Sequence, residues 1–168
     1  MMTKRIILVR HGKSDWADSG MTDFDRPLNH RGHKCAVEMA ERISRKQLIP
    51  QLIVSSPAKR AFTTAQHFSE VWKMSAAEIQ QEPSIYEANV TALLHVLNGL
   101  DNSYSNIALF GHNPGLTDFA NYLADANIYN MPTAGIVIID FPFDDWSMIS
   151  EHTGTLFLFD FPKKPELS

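Results

Sequence analysis

A chain of 168 residues, 44% hydrophobic and 20% charged, has the length and composition of one ordinary globular domain with a full core, and is neither a disordered nor a fibrous polymer. Its formal net charge of -4 and lack of any long Lys/Arg run argue against nucleic acid or an anionic membrane as a partner, though a local cationic pocket for an anionic substrate stays compatible with them. One cysteine, Cys35, rules out an intrachain disulfide and suits a reducing compartment. Ahead of Arg10 the apolar run is only Ile6 to Val9, too short for a signal peptide or a membrane span, so the expected location is the cytoplasm.

The run RIILVR at 5–10, stopped by His11-Gly12, predicts a buried strand. From 30 to 46 the period changes: Ala36, Met39, Ala40 and Ile43 fall on one face of an amphipathic helix. LIVSS at 52–56 predicts a second strand. The helix after it is expected to start at Pro57 with Ser56 as its N-cap, and to bury Ala61, Ala65, Phe68 and Trp72. A weaker strand near 79–82 leads through Tyr86-Glu87 to a short helix from about Thr91. NIALF at 106–110 leads through Gly111-His112 to a helix from about Asn113 that buries Leu116, Phe119, Ala120 and Leu123. IVIIDF (136–141) and TLFLFDF (155–161) read as two strands of an antiparallel edge, with room for another strand near Trp146.

Alternating strands and helices predict an α/β fold, a three-layer α/β/α sandwich around a mostly parallel sheet with an antiparallel edge. Ligands on such sheets bind beyond the carboxyl ends of the strands. His11, Arg60, Glu87 and His112 each follow a different strand, and this places four chemically useful side chains on one rim. A single domain over 1–161 is expected. The Pro-rich tail at 162–168 is expected to run over the surface.

LVRHGKSDW at 8–16, SSPAKRAFTTA at 55–65 and FGHNPGL at 110–116 together resemble the histidine phosphatase superfamily, whose fold is phosphoglycerate mutase-like. DFDRPLNHRG at 23–32 and the short length resemble its SixA-like phosphohistidine phosphatase group. The resemblance implies a phosphatase without metal or cofactor, with His11 as nucleophile and Arg10, Arg60 and His112 around the phosphate. Glu87, in SIYEAN, matches the family's proton donor; orienting His11 or the attacking water is its other reading.

The chemistry is consistent with those assignments. A phosphoryl group in transfer spreads charge over three oxygens and needs fixed cations around it. Guanidinium forks match that geometry better than an ammonium. A neutral imidazole is a competent nucleophile near pH 7 and divides hydrolysis into two displacements through phospho-His11. Which ring nitrogen attacks is not legible, although the backbone near Gly12 is a candidate acceptor for the other one.

Gly12 and Gly111 are expected to let the chain turn and phosphate approach. Ser14 and Asn113 are further phosphate-binding candidates, and the helix after Asn113-Pro114 is expected to aim N–H groups at the anion. His30 and His33 lack a third ligand for zinc and are expected to flank the first helix. Trp16, Trp72 and Trp146 are expected to be packing residues.

The substrate implied by the resemblance is phosphohistidine on a protein. A phosphorylated small molecule is the alternative, and a phosphate-binding module without turnover is the rival from another class.

Overall fold

The structure, a computed structural model, describes residues 3–16 and 20–166. Its elements are β1 (Lys4–Arg10), α1 (His30–Arg45), β2 (Leu52–Ser55), α2 (Lys59–Val71), β3 (Gln80–Gln81), α3 (Val90–Asn98), β4 (Asn106–Gly111), α4 (Gly115–Ala124), β5 (Ile136–Phe141) and β6 (Thr155–Asp160). The six strands form one sheet in the order β3-β2-β4-β1-β5-β6. The first four run parallel, and β5 is antiparallel to both its neighbours.

The middle residues of the central strands, Ile6–Val9, Ile53–Val54 and Ile107–Phe110, are apolar and buried because both faces of the sheet are covered. In β1, Ile6 and Leu8 join a core with residues of α3 and α4, while Ile7 and Val9 join the core beneath α1 and α2. The predicted inward faces of α2 and α4 are buried in these two cores. The mostly parallel sandwich with its antiparallel edge is therefore the observed fold.

Local departures have local causes. The second helix starts at Lys59 behind Ala58, with no side-chain cap; Ser56 and Pro57 are not its N-cap and first residue. Ser56 is fully buried, and its hydroxyl accepts from the Ala58 N–H at 3.2 Å while meeting His112 at 2.8 Å. The fourth helix starts at Gly115, two residues later than expected, with Pro114 at its N-cap position; the side-chain carbonyl of Asn113, one residue before, accepts from the N–H and hydroxyl of Thr117.

No strand forms near Trp146. Asp145 caps a 3-10 turn at Trp146–Met148, and the buried indole donates to the Tyr104 carbonyl at 3.0 Å, so this segment plugs the core instead of extending the sheet. The first residues of the tail are tied to the surface of the domain. Buried Arg42 pairs with Asp160 at 3.0 Å and donates to the carbonyls of Phe161, Pro162 and Lys164. Residues 167–168 of the predicted tail lie outside the described residues.

Candidate active site

β4 lies between β1 and β2, so the residues that follow these three strands share one end of the sheet. His11 continues from β1, with its N–H bonded to the Gly111 carbonyl and its carbonyl accepting from the Ala134 N–H at 2.9 Å. His112 continues from β4, and the two rings stand 5.3 Å apart. Arg60 occupies the first turn of α2. Both histidines and Arg60 are buried, and Arg10 is partly so.

The His11 ring is fixed in one tautomer. Its Nδ1 lies 2.6 Å from the Gly12 carbonyl; a carbonyl can only accept, so Nδ1 carries the proton and Nε2 keeps a free lone pair. Burial holds the His11 pKa down at about 3 against the upward pull of that carbonyl, and His112, Arg60 and Arg10 depress it further. Burial, then Arg60, brings His112 to about 4. Both rings are therefore neutral at pH 7.

Arg10 donates to the Met131 carbonyl at 2.8 Å. Arg60 is gripped by Asp23, giving one N–H to its backbone carbonyl at 2.7 Å and another to its carboxylate at 3.0 Å. The same carboxylate accepts from Arg26 at 2.9 Å and from the Tyr86 hydroxyl at 2.6 Å. Tyr86 and Arg26 hold the Asp23 carboxyl well below its usual range. Arg26 also donates to the Ser14 hydroxyl and stacks on the Trp16 ring at 3.6 Å. Tyr86 packs edge-on against His112 at 5.5 Å. The site is thus walled by three guanidiniums, with Asp23 the one carboxylate paired to them among the described residues.

Asp23 and Arg26 have no role that is legible in the sequence, although both stand inside DFDRPLNHRG. Their acidic-basic spacing resembles any solvated turn, and only the fold shows that the turn closes over Arg60. Ser14 is buried with its hydroxyl on Arg26. Asn113 spends its amide on Asn130 and Met131 and its carbonyl on Thr117, which makes it a pin for the 130–131 loop. At the α4 terminus, expected to aim N–H groups at the anion, those of Leu116 and Thr117 are taken by the His112 carbonyl and the Asn113 side chain.

Gly12 also meets a packing requirement. A Cβ on it would stand 2.7 Å from the Gly32 carbonyl oxygen, and one on Gly32 would stand 2.1 Å from the Lys13 oxygen. The pair is a close backbone contact between the loop after β1 and α1. Glu87 is exposed at φ 57° and, among the described residues, makes no hydrogen bond or ion pair. Tyr86 is the member of SIYEAN that reaches His112. His30 opens α1 behind its cap Asn29, and His33 meets His67 on α2 at 2.8 Å. Trp72 and Trp146 are buried, whereas Trp16 is 76% exposed and is not a core residue.

The family model described as the histidine phosphatase superfamily (branch 1) matches residues 6–98. Among curated proteins, an uncharacterized chloroplastic protein of Arabidopsis thaliana is 32% identical over 137 residues, 76% of this chain and 62% of that one. Phosphoserine phosphatase 1 of Hydrogenobacter thermophilus is 36% identical over 85 residues, 49% of this chain and 38% of that one. The chain thus spans less than two thirds of the length of these relatives. Among solved structures, the candidate phosphohistidine phosphatase SixA of Agrobacterium tumefaciens aligns with a TM-score of 0.81 at 25% identity, covering 96% of this chain and all of that one. The protein histidine phosphatase SixA complexed with tungstate shares the fold at 19% identity, with a TM-score of 0.79 and coverage of 94% and 96%.

Proposed function

The chain belongs to the histidine phosphatase superfamily, and from that premise we propose that it hydrolyses phosphorylated substrates through a covalent intermediate on Nε2 of His11. The observation that carries this reading is the Gly12 carbonyl on Nδ1, which leaves a neutral ring with its lone pair on Nε2 inside a cage of guanidiniums. Nε2 attacks phosphorus, the bond to the leaving group breaks, and positive charge formed on the ring is shared with the Nδ1–H bond. Arg10, Arg60 and Arg26 offset the charge on the phosphoryl oxygens, and His112 adds a ring N–H. Water then attacks phospho-His11, inorganic phosphate leaves, and the ring returns to its neutral form.

Three guanidiniums against the Asp23 carboxylate leave an excess of two positive charges, which suits a phosphate dianion. Glu87, exposed beside Tyr86, is the proposed proton donor to the leaving group.

The proposed substrate is phosphohistidine on a protein in the cytoplasm, a reading supported by likeness to SixA structures over nearly the whole chain. Phosphoserine phosphatase 1 among the relatives favours a small phosphorylated metabolite as the second reading.

The test is release of inorganic phosphate from a phosphohistidine peptide, an aryl phosphate and phosphoserine. The expected order of kcat/KM puts the peptide first, and a preference for phosphoserine would select the second reading. His11→Ala is expected to abolish turnover and to trap no acid-labile phosphoenzyme. Activity within about tenfold of the unmodified protein, a change of about 1.4 kcal/mol, would exclude the covalent role.

A further inference from the structure

A groove runs along α1. Its lining meets the segments next to His11 at two points: Lys13 is two residues past His11, and Thr133 precedes Ala134, whose N–H holds the His11 carbonyl. From there it passes Arg31 and Cys35 to Pro162 and Lys163, enclosing about 340 Å³, and it continues past Lys34 and Glu38.

Lys13, Arg31, Lys34 and Lys163 are exposed and, among the described residues, make no ion pair. The single carboxylate of the lining, Glu38, is already shared with Arg42 at 3.7 Å. Four unpaired cations on one groove contrast with a chain of net charge -4.

A run of charges on one helix is ordinarily a solvated face. These four come from three separate segments, the loop after β1, α1 and the C-terminal segment, and the last of these is strapped in place by the bonds of Arg42 to three of its carbonyls. Pro132, Phe161 and Pro162 add apolar lining between the cations.

We propose that this groove docks an acidic segment of the phosphorylated protein whose phosphate enters the His11 site. A peptide with alternating acidic and apolar side chains matches cations set beside apolar walls. A nucleic acid would instead need a longer basic track than four side chains on an acidic protein supply. That the docked protein is the substrate rests on the phosphatase reading above; the affinity of the groove for an acidic peptide does not.

The experiment is fluorescence anisotropy of a labelled, unphosphorylated peptide of alternating glutamate and leucine, titrated with the full chain, with His11→Ala and with the Lys34→Glu/Lys163→Glu double variant. Binding is expected to be equal for the first two, weaker by about tenfold or more for the double variant, and reduced by salt. Turnover of an aryl phosphate by the double variant is expected to match that of the unmodified protein, while its KM for an acidic phosphohistidine protein rises at constant kcat. No peptide binding by the unmodified protein, equal binding by the double variant, or tighter binding of an oligonucleotide than of the peptide would overturn the proposal. Failure of the unmodified protein to release phosphate from any donor would overturn the phosphatase reading alone, since the anisotropy result stands without turnover.

Discussion

At the scale of single residues, the proposed nucleophile, His11, is prepared by what surrounds it. An unperturbed histidine is about half protonated near pH 6.5 and loses nucleophilicity below it. Burial and the neighbouring cations take His11 to about 3 and His112 to about 4, so the acid limb of kcat/KM is expected well below pH 5. A proton-detected titration of the free protein checks this directly, and an inflection of His11 near 6.5 would contradict it.

The same shifts make a stability statement of definite sign. Between pH 6.5 and about 4 the unfolded chain takes up protons that the folded rings refuse. The stability contributed by the neutral rings is therefore complete above 6.5 and is lost as pH falls through that window toward the folded values. Asp23 acts one step away by holding Arg60 and Arg26 side by side. Asp23→Asn is expected to lower kcat/KM by roughly ten- to a hundredfold through misplacement of Arg60. Because this side chain is 49% exposed, the melting temperature is expected to stay nearly constant. Phosphate inhibition that weakens while the melting temperature holds is the signature of positioning, and recovery in Asp23→Glu is the accompanying check.

At the scale of elements, the contact that matters most is between the loop that follows His11 and the first turn of α1. Gly32 sits inside that turn, where alanine is the better helix former by up to about 1 kcal/mol. Against this, its Cβ would stand 2.1 Å from the Lys13 carbonyl oxygen, and forced overpacking of this kind costs roughly 1–3 kcal/mol. The clash is with backbone and cannot be relieved by a rotamer, so it wins. Gly32→Ala is expected to lower the urea midpoint, and also to lower kcat by shifting the 12–14 segment that carries the Gly12 carbonyl. An unchanged midpoint would show that α1 can move away freely.

At the scale of the whole molecule, the sheet order brings the ends of β1, β4 and β2 together, and the charge proposed to serve phosphoryl transfer comes from guanidiniums contributed by β1, by the 21–29 turn and by α2. Because arginines supply this charge, turnover is expected to be indifferent to a chelator. Activity that vanishes with chelation and returns with zinc or magnesium would refute that expectation.

Periodicity and strand-end chemistry are written along the chain, which is why the alternation of strands and helices, the inward faces of α2 and α4 and the rim positions of His11, Arg60 and His112 could be read without coordinates. The 3-10 turn at Trp146 could not, since the partner of its indole, the Tyr104 carbonyl, lies 42 residues away along the chain. The same holds for the site's inner wiring. Arg10 finds the Met131 carbonyl 121 residues away, and Arg60 finds Asp23 37 residues away. Nothing local to RHG distinguishes one ring nitrogen of His11 from the other until the fold turns the Gly12 carbonyl onto Nδ1. Sequence sets which groups a segment can offer; partners distant along the chain depend on strand order and register, and those are decided only when the two cores close on the sheet.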